Sequence, residues 1–540
     1  MRATGAMVVA ANPLASAAGL EILRAGGSAT DAAIAVQMVL NLVEPQSSGL
    51  GGGAFLVHYE RASGAITSFD GRETAPAAAR PDRFLGPDGA PMAFDAAVRS
   101  GLSPGVPGVL AMLELAHARF GRLPWRMLFA PAIRLAEDGF AVSPRLNRLL
   151  HEEGAQSFDR EARAYFFDAG DWPRPVGYRL RNPALAATLR LIAERGARAF
   201  YQGEEIAGPI IDRLAAAHPP SDMTRADLAA YQALERPAFC TGYRGHRVCG
   251  MGPPSSGGPT IAQVLALIEP FDLGKAPLDP QGVAILAEAE KLAYADRDRY
   301  MADPAFVPLP EGLMDAAYIA ARRSLIDPAR PMSRAEPGMP PMKQGRLFGI
   351  DRTIEASGTS QISIVDADGN ALAMTTTIES AFGAHIMVAG FLLNNELTDF
   401  SFVPADGDGR PVANRVEGGK RPRSSMAPTI VLGPEGELRM VAGSPGGSRI
   451  ILYVLKAIVC VIDWHCDAGE AAALVNFGSR NGPFEVETGE AGDLLAVAAQ
   501  ARGAAIRRVE MTSGLNIVLR DGGGLLGGTD PRREGMAAGF

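Results

Sequence analysis

Apolar positions near the start of the chain recur at helical spacing. From Pro13 the pattern runs to Gly26-Gly27, with proline in the first turn and glycine past the end, which predicts a helix. Ser28 and Asp31 form a capping-box pattern before an apolar run to Val43, stopped by Pro45. After a glycine run at 49–53 the period falls to two. AFLVHY and ITSFD predict paired strands around Ser63-Gly64, with Arg72 just past the second. Residues 104–240 read mostly as helix, and MGPPSSGG at 251–258 reads as a turn leading into the helix TIAQVLALI. Residues 327–350 are rich in Pro, Met and basic residues and lack a period, so a mobile, exposed stretch is expected there. The last third is strand-rich. TSQISIVD and ALAMTTT are joined at Asp368-Gly369, TIVL and ELRMVA by GPEG, and FEVET and GLNIVLR read as late hairpin strands. GSPGGSR leads into the apolar helix 450–462. No repeat of 20–50 residues is present, which excludes a solenoid.

Composition adds little to this picture. The chain has 540 residues, 47% of them hydrophobic and 21% charged, ample for a large core. Its net charge of −8 is spread without a basic stripe, which argues against nucleic-acid binding. The longest apolar run, 450–464, contains Lys456 and Asp463 and is too short and charged to cross a bilayer. MRATGAMVVAANP lacks the charged head and apolar core of a signal peptide, so a cytoplasmic chain is expected as written. Cys240 and Cys249 could face each other across the hairpin FCTGYRGHRVCG, but half-buried free thiols are expected in a chain this long. The seven histidines are dispersed, and neither a metal nor a cofactor is expected.

Candidate chemistry lies in a few short stretches. Gly49–Gly53 matches a relaxed dinucleotide fingerprint, yet a helix precedes it and a strand follows, the reverse of what that fingerprint needs. A close-packed glycine turn is expected instead. Gly446-Gly447 lies between a strand and a helix, where consecutive N–H groups could converge on an oxyanion or a phosphate. Glu396 and Asp399 are three apart in LLNNELTDFS, Arg72 ends a strand, and Ser424-Ser425 precede one. Thr359 follows Gly358 at the head of a buried strand. A cut between them would place a hydroxyl nucleophile and a free amine on one residue.

In order, GLGGGAF, FDGRETAP, PPSSGG, GTSQISIVDADGNALAMTTT, LLNNELTDFS, RPRSSMAPT, GSPGGSRI and TDPRREG resemble the γ-glutamyltransferase (γ-glutamyltranspeptidase, glutathione hydrolase) family over nearly the whole chain. The resemblance implies an α+β fold, the four-layered αββα sandwich of N-terminal-nucleophile hydrolases. It also implies self-cleavage at Gly358-Thr359 into residues 1–358 and 359–540, which stay together as a heterodimer forming one intertwined domain. Thr359 is then the nucleophile, with Thr377 supporting its hydroxyl and Gly446 and Gly447 forming the oxyanion hole. Arg72 holds the substrate α-carboxylate, Glu396 and Asp399 its ammonium, and Ser424 and Ser425 the rest of the glutamyl head. The implied partners are a γ-glutamyl donor such as glutathione and an amino-acid or peptide acceptor. The family is mostly exported, so a periplasmic or secreted location is the expectation from resemblance.

The match departs from the family in three places. Thr359-Ser360-Gln361 stands where Thr-Thr-His is common, and Glu379 where other members carry an Asn that contacts the glutamyl head. The expected lid, 399–424, is short, charged and without Tyr, which tilts the expectation from transpeptidation towards hydrolysis. Two other readings are a glutaryl (cephalosporin) acylase-like or oxamate amidohydrolase-like enzyme and an unprocessed binding scaffold. Retention of Arg72, Glu396, Asp399, Ser424 and Ser425 favours the γ-glutamyl reading, because a polar site rejects substrates that leave its groups unpaired.

Overall fold

The computed structural model describes residues 1–342, 347–353, 355–356 and 358–540. Two seven-stranded sheets stack face to face. One runs in the order Met536–Gly539, Met7–Ala10, Ser360–Val365, Ala371–Thr377, Gly53–Glu60, Ala65–Gly71, Leu234–Pro237. The other runs Arg2–Ala3, Gly524–Thr529, Asn516–Asp521, Leu438–Gly443, Thr429–Leu432, His246–Gly250, Phe239–Tyr243. Every pairing in both sheets is antiparallel.

The period-2 pattern explains the layers. In Ala371–Thr377, Ala371 and Ala373 pack between the sheets, while Leu372 and Met374 pack under the outer helices. Val441 likewise faces the other sheet, and its neighbours Met440 and Ala442 face the second helical layer. Alternate residues point to opposite faces, so each strand serves two cores. Ala29–Val43 lies in one outer layer; Gly257–Ile268 and Ile450–Ile462 lie in the other. The result is the αββα sandwich. Both sheets mix strands from before Gly358 with strands from after it.

Local sequence chemistry sets the ends of these elements. Asn12 caps Pro13–Arg24, and Ser28 with Asp31 closes a reciprocal capping box on Ala29–Val43. The glycine turn at 49–53 is a packing device: a Cβ on Gly51 would lie 2.1 Å from the Leu392 carbonyl oxygen, and one on Gly52 2.0 Å from that of Thr377. Three expectations need correction. The cysteines are not free: Cys240–Cys249 and Cys460–Cys466 are disulfides. Cys240 and Cys249 are directly opposed in antiparallel register, with Cα atoms 4.1 Å apart. FEVET forms no simple hairpin: Phe484–Glu487 pairs in parallel with Ile506–Val509 across the helix Glu490–Ala501. The irregular stretch from 327 is mostly exposed or half-buried, in line with expectation, but it is tied down by hydrogen bonds as far as 341. Asn481 bonds both the N–H and C=O of Ala335, and Gly338 donates to Asp296. Residues 343–346 of that stretch lie outside the described residues.

Candidate active site

Thr359 heads the strand Ser360–Val365, beside the end of Ala371–Thr377. Its hydroxyl donates to Thr377 Oγ1 at 3.2 Å, and the Glu379 N–H donates to that same oxygen at 2.8 Å. The Thr359 N–H donates to the Ser47 carbonyl at 3.1 Å. Arg533, in the closing TDPRREG, donates to the Thr359 carbonyl at 3.1 Å. The nucleophile candidate is thus held on three sides. Thr359 has φ +93°, a strained value for a β-branched residue. Gly358 is packed so tightly that a Cβ there would lie 1.8 Å from the Glu379 carbonyl oxygen. Ser360 contributes nothing visible to this site: its buried hydroxyl has no hydrogen-bond partner among the described residues. Gln361 accepts from Thr375 and donates to Ile362 and Ser363.

One pocket brings together Thr359, Thr377, Arg72, Glu379, Glu396, Asp399, Ser424, Ser425 and Gly447. Gly446 and Gly447, both at positive φ, form the turn before Ile450–Ile462. The upstream chain crosses this turn, and a Cβ on Gly447 would lie 2.3 Å from the Ala356 carbonyl oxygen. Little space is left, about 20 Å³.

Arg72 is fully buried and spends its fork on the acids. It donates to Glu396, and to Asp399 at 2.5 Å, with Glu73 at 3.9 Å; its remaining bonds go to the Pro422 and Arg423 carbonyls. Burial opposes its charge, but the three acids outweigh that and raise its pKa. The acids are in surplus. Burial pushes Glu396 and Asp399 well up despite Arg72, and Glu73 up to about 7. Glu396 Oε2 and Asp399 Oδ1 are buried with no hydrogen-bond partner among the described residues. Glu379 accepts from the Ala356 N–H at 2.9 Å and from Ser380 and Asn395, and burial raises its pKa too.

Ser424 and Ser425 are positioned by the PPSSGG turn: the Ser424 N–H donates to the Pro254 carbonyl, and Ser256 donates to that of Ser424. Ser425 Oγ donates to Glu355 and accepts from Arg297 at 2.7 Å. Sequence reasoning gave no role to Glu355, Arg297, Arg423 or Arg533. The available signals were weak: Arg423 sits inside RPRSS, and Arg297 inside the charged string DRDRY.

Comparison with known proteins fits this arrangement. The family model described as gamma-glutamyltranspeptidase matches residues 15–540. The chain belongs to the γ-glutamyltranspeptidase family. It is 38% identical to a glutathione hydrolase proenzyme of Escherichia coli (strain K12), a match covering 100% of this chain and 93% of that protein. It is 35% identical to an acylase ACY 1 proenzyme of Pseudomonas sp. (strain V22), covering 97% and 92%. Among solved structures, the cephalosporin acylase from Bacillus halodurans matches with a TM-score of 0.86 at 27% identity, covering 100% of this chain and 96% of that one.

Proposed function

We propose that this protein is a self-processing γ-glutamyl hydrolase and transferase acting on γ-glutamyl amides such as glutathione. The observation that carries the reading is the acid surplus beside Thr359: one guanidinium, three nearby carboxylates, and four of their oxygens buried without donors among the described residues. An α-ammonium supplies three N–H donors and one positive charge, which Glu396 and Asp399 lack. The accompanying α-carboxylate exchanges with these acids at Arg72, which can grip it at two points. Ser424 and Ser425 complete the head-group site.

In maturation, the Thr359 hydroxyl attacks the Gly358 carbonyl carbon, and the acyl group shifts from nitrogen to oxygen. Water then splits the ester, leaving residues 1–358 with a carboxylate and 359–540 with a free Thr359 amine. An unperturbed α-amine has a pKa of about 7.7–8.0, so it can take the hydroxyl proton near neutral pH. In turnover, Thr359 attacks the γ-amide carbon and the amine leaves, giving a γ-glutamyl ester that passes to water or to an amino-acid or peptide acceptor. The N–H groups of Gly446 and Gly447 stabilise the tetrahedral oxyanion, where losing one donor costs roughly 3–4 kcal/mol.

The likeness to two acylases supports a second reading, an amidohydrolase of other acyl groups. Amide release from γ-glutamyl, glutaryl and oxamate substrates separates the two. Faster release from γ-glutamyl amides is expected, and faster release from glutaryl amides refutes the ammonium role of Glu396 and Asp399. A denaturing gel with N-terminal sequencing tests maturation. Two bands are expected, the smaller beginning at Thr359; a chain that stays whole while active refutes the scheme, and a whole, inactive chain supports a binding scaffold.

A further inference from the structure

Upstream of Thr359, the Glu355 carboxylate enters the pocket and is nearly enclosed, 5% exposed. It accepts from Ser425 Oγ at 2.5 Å, from Arg297 Nη2, and from Arg423 Nη2 at 3.4 Å. Both arginines are themselves buried. Arg297 also pairs with Asp298 at 2.8 Å, and Arg423 with Asp351 at 3.2 Å. Arg423 Nε and Nη1 have no hydrogen-bond partner among the described residues. Burial opposes the Glu355 charge, yet the two guanidiniums hold its pKa down at about 2. This is a formed carboxylate site, lined by the same Ser425 that faces the head-group pocket. It is also close enough to Asp399 for Glu355 to help raise that residue's pKa.

We infer that Arg297, Arg423 and Ser425 form a second anion subsite, filled by Glu355 in the uncut chain and taken over by a carboxylate of the acyl donor once the segment ending at Gly358 departs. The inference rests on the reading of the Thr359 pocket as the acyl-donor site. Departure takes the acceptor of Ser425 Oγ and one of the two acceptors of Arg297 Nη2, and buried donors left short of partners are costly. A donor carboxylate restores the lost bonds. Arg72, which exchanges Glu396 and Asp399 for the donor carboxylate, is then not its sole anchor. Glu355 thereby works as an internal stand-in for substrate that keeps the site closed before processing.

Two experiments test this. In the uncut Thr359→Ala chain, Glu355→Ala removes a CH₂COO⁻ group, the size of acetate. Acetate binding by calorimetry is expected to be at least ~10-fold tighter in the double variant than in Thr359→Ala alone, and adding Arg423→Gln should abolish the gain. Equal acetate affinity with and without Glu355 overturns the proposal. In processed enzyme, Arg423→Gln should raise KM at least ~10-fold for γ-glutamyl and glutaryl anilides but not for the 4-aminobutanoyl anilide, which lacks the carboxylate. A uniform rise across all three overturns it. A parent enzyme that prefers glutaryl to γ-glutamyl anilide refutes the ammonium reading, and the acetate result still decides the subsite.

Discussion

Replacing Thr377 by Val keeps the volume of the side chain and removes one oxygen that serves two donors. The Glu379 N–H, 2.8 Å away, is left buried without an acceptor, at a cost of about 1–3 kcal/mol in stability. The Thr359 hydroxyl, 3.2 Å away, loses the group that orients it and can receive its proton. General-base assistance is typically worth about 10²–10⁴-fold, and a relay through a hydroxyl belongs at the lower end, so self-cleavage should slow by roughly 10²-fold. Pulse-labelled chain followed on denaturing gels gives the rate, and thermal melting reports the stability loss separately. Thr377→Ser restores the oxygen and should cut within a few fold of the parent. A folded Thr377→Val chain that cuts within about threefold of the parent would refute the relay, as would a Ser variant as slow as the Val one.

Other outcomes follow from the same geometry. Gly447→Ala places a Cβ 2.3 Å from the Ala356 carbonyl oxygen at a φ of +58°, so the uncut chain should accumulate on gels; normal processing would show that the turn tolerates displacement. Binding a γ-glutamyl ligand should release protons, because an incoming ammonium ionises the raised carboxylates Glu396 and Asp399. Calorimetry in buffers of different ionisation enthalpy reads this, and proton uptake would contradict it. In the uncut Thr359→Ala chain, Glu355 has a depressed folded pKa of about 2, so its stabilisation is present above the unfolded value near 4.5 and fades as pH falls towards 2. Glu355→Gln should therefore cost about 3 kcal/mol at neutral pH, less in acid, and a pH-independent difference in melting would count against the ion cluster. Reducing Cys240–Cys249, which closes a nine-residue separation, should lower stability by about 2–3 kcal/mol, and unchanged melting after reduction would argue that the hairpin register alone suffices.

What could be read from the chain was mostly local. The Ser28–Asp31 box, the Asp368-Gly369 turn and the glycines at 49–53 and 446–447 declare themselves because each solves a backbone problem within a few residues. The gathering of Arg72, Thr359, Glu396 and Ser425 was legible only through family resemblance, since residues tens to hundreds of positions apart carry no common period. Glu355, Arg297 and Arg423 escaped notice for a related reason. Each is a charge that reads as solvated on its own, and only tertiary placement buries the three together. Pro280–Tyr300, which carries Arg297, mixes charged and apolar residues and is buried along most of both. The Cys240–Cys249 bridge was passed over because cross-strand register, not chain length, decides whether two thiols meet, while Cys460 and Cys466 meet where the chain turns back at the end of Ile450–Ile462.

Met7–Ala10 is clasped between Met536–Gly539 and Ser360–Val365, and Gly53–Glu60 lies against Ala371–Thr377. Severing the backbone ahead of Thr359 therefore frees two new chain ends without creating two separable bodies. Neither piece owns a complete sheet, so dilution should never cost the nicked protein its activity, and pieces expressed from separate messages must fold around each other or not at all.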